Sequence, residues 1–118
     1  MSDYNFILPW PPSVNGMWRT FRNRQIISKR GRDYRAKAHE SMQSLGLDNE
    51  MLSGRLEVRL TLNPPTLRRY DVDNFTKAVF DSLTTCGFWE DDEQVCKLTI
   101  IKGEKTPPGN VQVSVVQL

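Results

Sequence analysis

Leu56-Glu57-Val58-Arg59-Leu60-Thr61-Leu62 is the stretch that decides the fold. Apolar side chains alternate there with Glu57, Arg59 and Thr61, the two-residue period of a strand with one buried and one wet face. Pro64-Pro65 ends it, because proline donates no hydrogen bond to a ladder. A half-buried strand needs a cover, and helices flank it on both sides. Upstream, Ser28 is a good N-cap for a helix over 29–45 closed by Gly46, with Tyr34, Ala38, Met42 and Leu45 on the inner stripe. Downstream, Asp73 is placed to cap a helix running to about residue 85, stopped by Gly87, with Phe75, Val79 and Leu83 inward.

Further out, residues 4–8 read as a short strand halted by Pro9-Trp10-Pro11-Pro12, and Ser13-Val14-Asn15-Gly16 reads as a turn. Two β-prone pieces, 17–21 and 25–27, surround Arg22-Asn23-Arg24 as a basic hairpin, and two more strands fit near 95–101 and 111–116. The expectation is an α+β fold: one compact domain over residues 1–118, with a mixed β-sheet packed against two main helices.

Composition narrows the function. Of 118 residues, 38% are hydrophobic and 25% charged, an ordinary globular balance. No apolar run approaches the roughly 20 residues of a membrane-spanning helix. The start, Met1-Ser2-Asp3-Tyr4, lacks the layout of a secretory leader, so a cytoplasmic location with no membrane partner is expected. Cys86 and Cys96 have no metal-site spacing and read as free thiols, while a lone His39 argues against a histidine-rich zinc site. Any metal should be a hard cation held by carboxylate oxygens. Charge is polarised along the chain: residues 1–69 hold 12 Lys/Arg against 6 Asp/Glu, and residues 70–118 hold 4 against 8. The segment 19–37 alone has eight basic residues and one acid, which suits a grip on phosphates beside a carboxylate cluster.

That cluster lies in Asp71-Val72-Asp73-Asn74-Phe75-Thr76-Lys77, then Asp81, then Gly87-Phe88-Trp89-Glu90-Asp91-Asp92. On a helix starting at Asp73, positions 73, 77 and 81 stack on one polar face. Asp71 projects beside Asp73 from the lead-in, and a reversal at Gly87 can return Asp91 or Asp92 toward them. Carboxylates converging without a neutralising arginine repel one another, and Mg²⁺ relieves that repulsion while keeping water and phosphate ligands. Such an ion can activate water and steady a leaving oxygen. Lys77 adds positive charge where negative charge accumulates at phosphorus. Taken singly, Asp71-Val72-Asp73-Asn74 is ordinary capping and Asp91-Asp92-Glu93 an ordinary solvated turn. Their occurrence together beside a basic region points to phosphodiester hydrolysis. Trp10 and Trp89 read as packing anchors. Trp18 and Phe21, among Arg19, Arg22 and Arg24, are candidates for contact with unpaired bases.

The chain resembles the RusA family of Holliday junction resolvases, Mg²⁺-dependent endonucleases of phages and prophages. The matching residues are Leu8-Pro9-Trp10-Pro11-Pro12-Ser13, then Asp71, Asp73, Asn74, Lys77, Asp81 and Leu83, then Gly87-Phe88-Trp89, Asp91, Asp92, Gln94 and Val95. The resemblance implies a structure-selective endodeoxyribonuclease that resolves four-way DNA junctions by paired nicks in recombination and repair. It implies catalytic, Mg²⁺-binding aspartates at Asp71, Asp73 and Asp92, a catalytic lysine at Lys77, and a homodimer. Tyr70 departs from the family pattern, which carries another basic residue before the first aspartate. Branched DNA is the expected partner, and Arg19, Arg22, Arg24, Lys29, Arg30, Arg68 and Arg69 are the candidate DNA contacts. The apolar loop Leu8-Pro9-Trp10-Pro11-Pro12 is expected to be exposed, which would also favour a homodimer. The rivals are a non-catalytic nucleic-acid-binding protein and a Mg²⁺-dependent phosphohydrolase of small nucleotides. The latter would want a glycine-rich phosphate loop, which is not found.

Overall fold

The computed structural model describes residues 3–118; Met1 and Ser2, which open the stretch read for a leader, lie outside them. Chain order is β1 (Tyr4–Pro9), α1 (Val14–Met17), β2 (Trp18–Phe21), β3 (Arg24–Ile27), α2 (Lys29–Ser44), β4 (Leu56–Asn63), α3 (Thr76–Thr85), a 3₁₀ turn (Asp92–Gln94), β5 (Val95–Lys102) and β6 (Asn110–Gln117). The main sheet has the order β1-β6-β4-β5, and β2 with β3 forms a separate two-stranded sheet. β6 is antiparallel to both β1 and β4, whereas β4 and β5 run parallel, so the sheet is mixed as expected.

The alternation at 56–62 is the central strand. Leu56, Val58, Leu60 and Leu62 are buried, and they meet Val111, Val113 and Val115 of β6 and Phe6 and Leu8 of β1 in one core. Tyr34, Ala38 and Met42 of α2 and Ala78, Val79 and Leu83 of α3 join that core. Trp89 is fully buried, donates its indole N–H to Thr84 Oγ1 at 2.7 Å and stands edge-on to Phe80, as its reading as an anchor required. Both cysteines are free. No helix among the described residues is long and apolar enough to cross a membrane.

A parallel pair needs a crossover, and α3 supplies it between β4 and β5. Parallel strands end on the same edge of a sheet, so the loop leaving β4 and the end of β5 are neighbours there. Register places Lys102, the last residue of β5, opposite Leu62.

Several local expectations are corrected. Asp73 does not cap the second helix: α3 begins at Thr76, its N-cap is Phe75, and no side chain caps it. Asp73 therefore does not share a helical face with Lys77 and Asp81. The turn at 13–16 tightens into the one-turn helix α1, with Ser13 Oγ accepting from Gly16 N at 3.2 Å. Leu45 lies beyond the end of α2 and is 53% exposed instead of inward. The 8–12 loop is not an exposed apolar patch. Leu8 and Pro11 are buried, and the Tyr34 hydroxyl donates to Pro9 O at 2.8 Å, closing the loop onto α2.

The basic hairpin forms as read, turning at Arg22 and Asn23, both left-handed with φ of 51° and 60°, the geometry a two-residue hairpin turn requires. Gly31 lets α2 abut it closely: a Cβ there would fall 2.6 Å from Met17 O and 2.7 Å from Ile27 Cγ1.

Candidate functional site

Asp71 and Asp73 stand in the loop between β4 and α3, and both are exposed. Asn74 N donates to Asp71 O at 3.1 Å, and Val14 N to Asn74 O at 2.8 Å, so the end of this loop is tied to α1. Beneath it, Trp10, Tyr70 and Phe75 form an aromatic cluster with ring centroids 4.8–5.9 Å apart. The loop thus rests on the proline-tryptophan segment, giving Trp10 the packing role expected of it.

Lys77 is exposed on the first turn of α3, and Asp81 follows one turn later. Asp81 is already neutralised. Arg35 of α2 grips it in a fork, Nε to Oδ2 at 2.6 Å and Nη2 to Oδ1 at 2.9 Å. Lys77 would otherwise pair with Asp81 at the i,i+4 spacing. With both carboxylate oxygens committed to Arg35, Lys77 makes no ion pair among the described residues. The Arg35 guanidinium also lies 6.0 Å from the ring of Trp18, linking the hairpin to α3 through α2.

Asp92 opens the 3₁₀ turn and is half-buried. Its carboxyl is pushed above the usual range chiefly by burial, against the pull of the Lys77 ammonium, with Asp91 and Asp81 adding to the rise. Lys77, Asp81, Asp91 and Asp92 therefore share one neighbourhood. Asp91 has a structural task, since its Oδ1 accepts from Glu93 N at 3.0 Å while Gln94 Oε1 accepts from Asp91 N at 2.8 Å. The reversal that brings this turn back depends on Gly87 at φ 78°, where a Cβ would fall 2.9 Å from Asn49 Oδ1.

Among the described residues, no group of three or more His, Cys, Asp or Glu side chains is gathered so that it could hold a metal ion. The four sequence-predicted residues fall on three elements: Asp71 and Asp73 on the loop, Lys77 on α3, and Asp92 on the 3₁₀ turn that α3 packs against.

The predicted basic residues form two groups. On the hairpin, Arg19 and Arg22 flank the exposed Phe21 ring at 5.8 and 5.3 Å, and Arg24 begins β3. Phe21 is 50% exposed and fits a stacking role, whereas Trp18 is half-buried. The other group lines two adjoining hollows of about 580 and 460 Å³ that share Trp10, Ser13, Arg68 and Phe75. Arg30 and Lys37 enter the first from α2, and Arg69 enters the second. Lys29 is instead paired with Asp33 at 2.9 Å on the surface. Sequence reasoning missed Arg35, Lys37 and Lys102 as site neighbours. Arg35 gave no local signal, because its partner is 46 residues away.

The family model for Endodeoxyribonuclease RusA matches residues 9–115. The chain is 37% identical over 118 residues to a crossover junction endodeoxyribonuclease of Enterobacteria phage HK97, an alignment covering 100% of this chain and 98% of that one. It is 36% identical, with the same coverage, to the proteins of that name from Escherichia coli strain K12 and Enterobacteria phage 82.

Proposed function

The chain belongs to the RusA endodeoxyribonuclease family, and from that premise we propose that it is a Mg²⁺-dependent endonuclease resolving four-way DNA junctions by paired nicks, in recombination and repair. The observation that carries the reading is the exposed Lys77, unpaired among the described residues, on the helix that packs against the 3₁₀ turn of the half-buried Asp92, with Asp81 withdrawn by Arg35. A binding protein without chemistry has no use for the exposed Asp71 and Asp73 besides, since uncompensated carboxylates repel DNA.

The donor chemistry fits Mg²⁺. Asp71, Asp73 and Asp92 offer only hard oxygens, and Asp92 is in surroundings that penalise its charge, a penalty that a dication removes. Mg²⁺ is commonly held by one or two carboxylates, with water and substrate phosphate completing its shell, so a closed protein cage is not required. Bound there, it would polarise the phosphorus centre and activate a water molecule. The chain's own residues do the rest. Lys77 stabilises the charge that develops on the phosphate oxygens, Arg35 keeps Asp81 from quenching it, and the hairpin and the 68–69 arginines hold the DNA backbone. Two opposed nicks are most simply made by two sites related by a two-fold axis, which supports a homodimer.

Incubation with a synthetic four-way junction, with Mg²⁺ or with EDTA, tests this reading. Symmetric nicks in Mg²⁺ and none in EDTA are expected. Cleavage that survives EDTA, or equal cleavage of linear duplex, would contradict it.

A further inference from the structure

Beside the aspartate loop lies a hollow of about 450 Å³ lined by Arg69, Tyr70, Asp71, Asn74 and Lys102. Lys102 reaches it from the end of β5, which parallel register sets on the same sheet edge as the loop leaving β4. Its Nζ donates to Tyr70 O at 2.6 Å and stands 4.5 Å from the Tyr70 ring centroid. An ammonium has three N–H donors, so two remain after the bond to Tyr70. Arg69 contributes a second cation, and neither Lys102 nor Arg69 forms an ion pair among the described residues, although Asp71 lines the same hollow. With one carboxylate against two cations the hollow keeps a net positive charge, which an anion entering it compensates.

We propose that this hollow is a phosphate-binding subsite for the DNA strand entering the active site, with Lys102 as its principal donor and Arg69 as its second. The assignment rests on the endonuclease reading above and adds a contact from β5 that neither the hairpin nor α2 supplies. Anchored at once to a rigid strand, to the peptide just before Asp71 and to the Tyr70 ring, Lys102 fixes the strand's phosphate relative to the Asp71 carboxylate. The neighbouring hollow shares Arg69, Tyr70 and Asn74 with this one, so the backbone has a continuous path toward Arg68 and Trp10.

The test measures junction affinity against salt in EDTA, so that binding is read without cleavage. Lys102→Met, which keeps the chain length and loses the charge, is expected to weaken binding about five- to tenfold and to flatten the salt slope by about one unit. Lys102→Arg should restore both. Lys102→Gln, which also loses the charge but keeps an N–H donor for Tyr70 O, should flatten the slope by a similar amount, which keeps the test open if Lys102→Met does not fold. An unchanged slope in folded Lys102→Met or Lys102→Gln would overturn the proposal, as would a loss of cleavage rate in Lys102→Met with affinity intact. In either case a wild type that binds and cuts junctions leaves the endonuclease reading standing. A wild type that does neither removes that reading, and the subsite with it.

Discussion

The loop from Arg68 to Phe75 and the reversal from Thr85 to Gln94 both carry candidate catalytic aspartates, yet they are held very differently. Asp92 sits half-buried behind a glycine-dependent turn, a capping box at Asp91 and Gln94, and the forked Arg35–Asp81 pair. Asp71 and Asp73 stand exposed, with Lys102 on one side and the Asn74 tie to α1 on the other as the bonds nearest them. One half of the site is fixed by the fold before substrate arrives. The other presents carboxylates to solvent, where metal, water and phosphate can complete the arrangement. A site divided in this way predicts that changes at Asp71 and Asp73 act on chemistry alone, whereas changes in the turn that carries Asp92, at Gly87 above all, act on stability first.

The largest expected effect is in the exposed half. Asp71→Asn or Asp73→Asn should lower junction cleavage at least about a hundredfold, the loss of roughly 3 kcal/mol of transition-state interaction, with melting temperature and junction affinity retained. Single-turnover cleavage beside a binding assay checks this, and a variant that keeps more than about a tenth of the wild-type rate is not a metal ligand.

Lys77→Ala comes next, with an expected loss of ten- to a hundredfold in rate and little change in affinity, because its partner is charge that develops at phosphorus. A parallel fall in affinity would make Lys77 a ground-state phosphate contact instead.

In the buried half, Gly87→Ala should destabilise the fold by about 2 kcal/mol, from a left-handed backbone and a crowded Asn49. Urea unfolding reads this directly, and a change below about 0.5 kcal/mol would mean that the reversal is not held as described.

The smallest effect belongs to the hairpin. Replacing Arg22 and Arg24 together should flatten the salt dependence of junction binding by about two units if both meet phosphate. An unchanged slope would leave the Trp10–Arg68 hollows as the principal DNA surface.

The periodic parts of the molecule were legible from sequence. Leu56 to Leu62 announced the central strand, Tyr34, Ala38 and Met42 the inner face of α2, and Phe75, Val79 and Leu83 that of α3, because burial imposes its period directly on residue type. The start of α3 was not, since Asp73 has the chemistry of a cap but the aromatic packing of Phe75 on Trp10 and Tyr70 sets where the helix begins. The Leu8–Pro12 segment looked like an exposed apolar patch because the Tyr34 bond and the aromatic cluster that cover it come from distant residues. Asp71, Asp73, Lys77 and Asp92 were singled out as a candidate site by their spacing. Arg35 and Lys102 were not, because each acts through a partner more than thirty residues away in the chain.

The central claim is that both halves of the site serve one divalent cation. Calorimetric titration of Mg²⁺ into the protein bound to a non-cleavable junction tests it most directly, comparing wild type with Asp71→Asn and Asp92→Asn. The account predicts that each substitution, made alone, weakens Mg²⁺ binding at least about tenfold, roughly 1.4 kcal/mol. Wild-type affinity in either variant would contradict a site shared between the loop and the 3₁₀ turn.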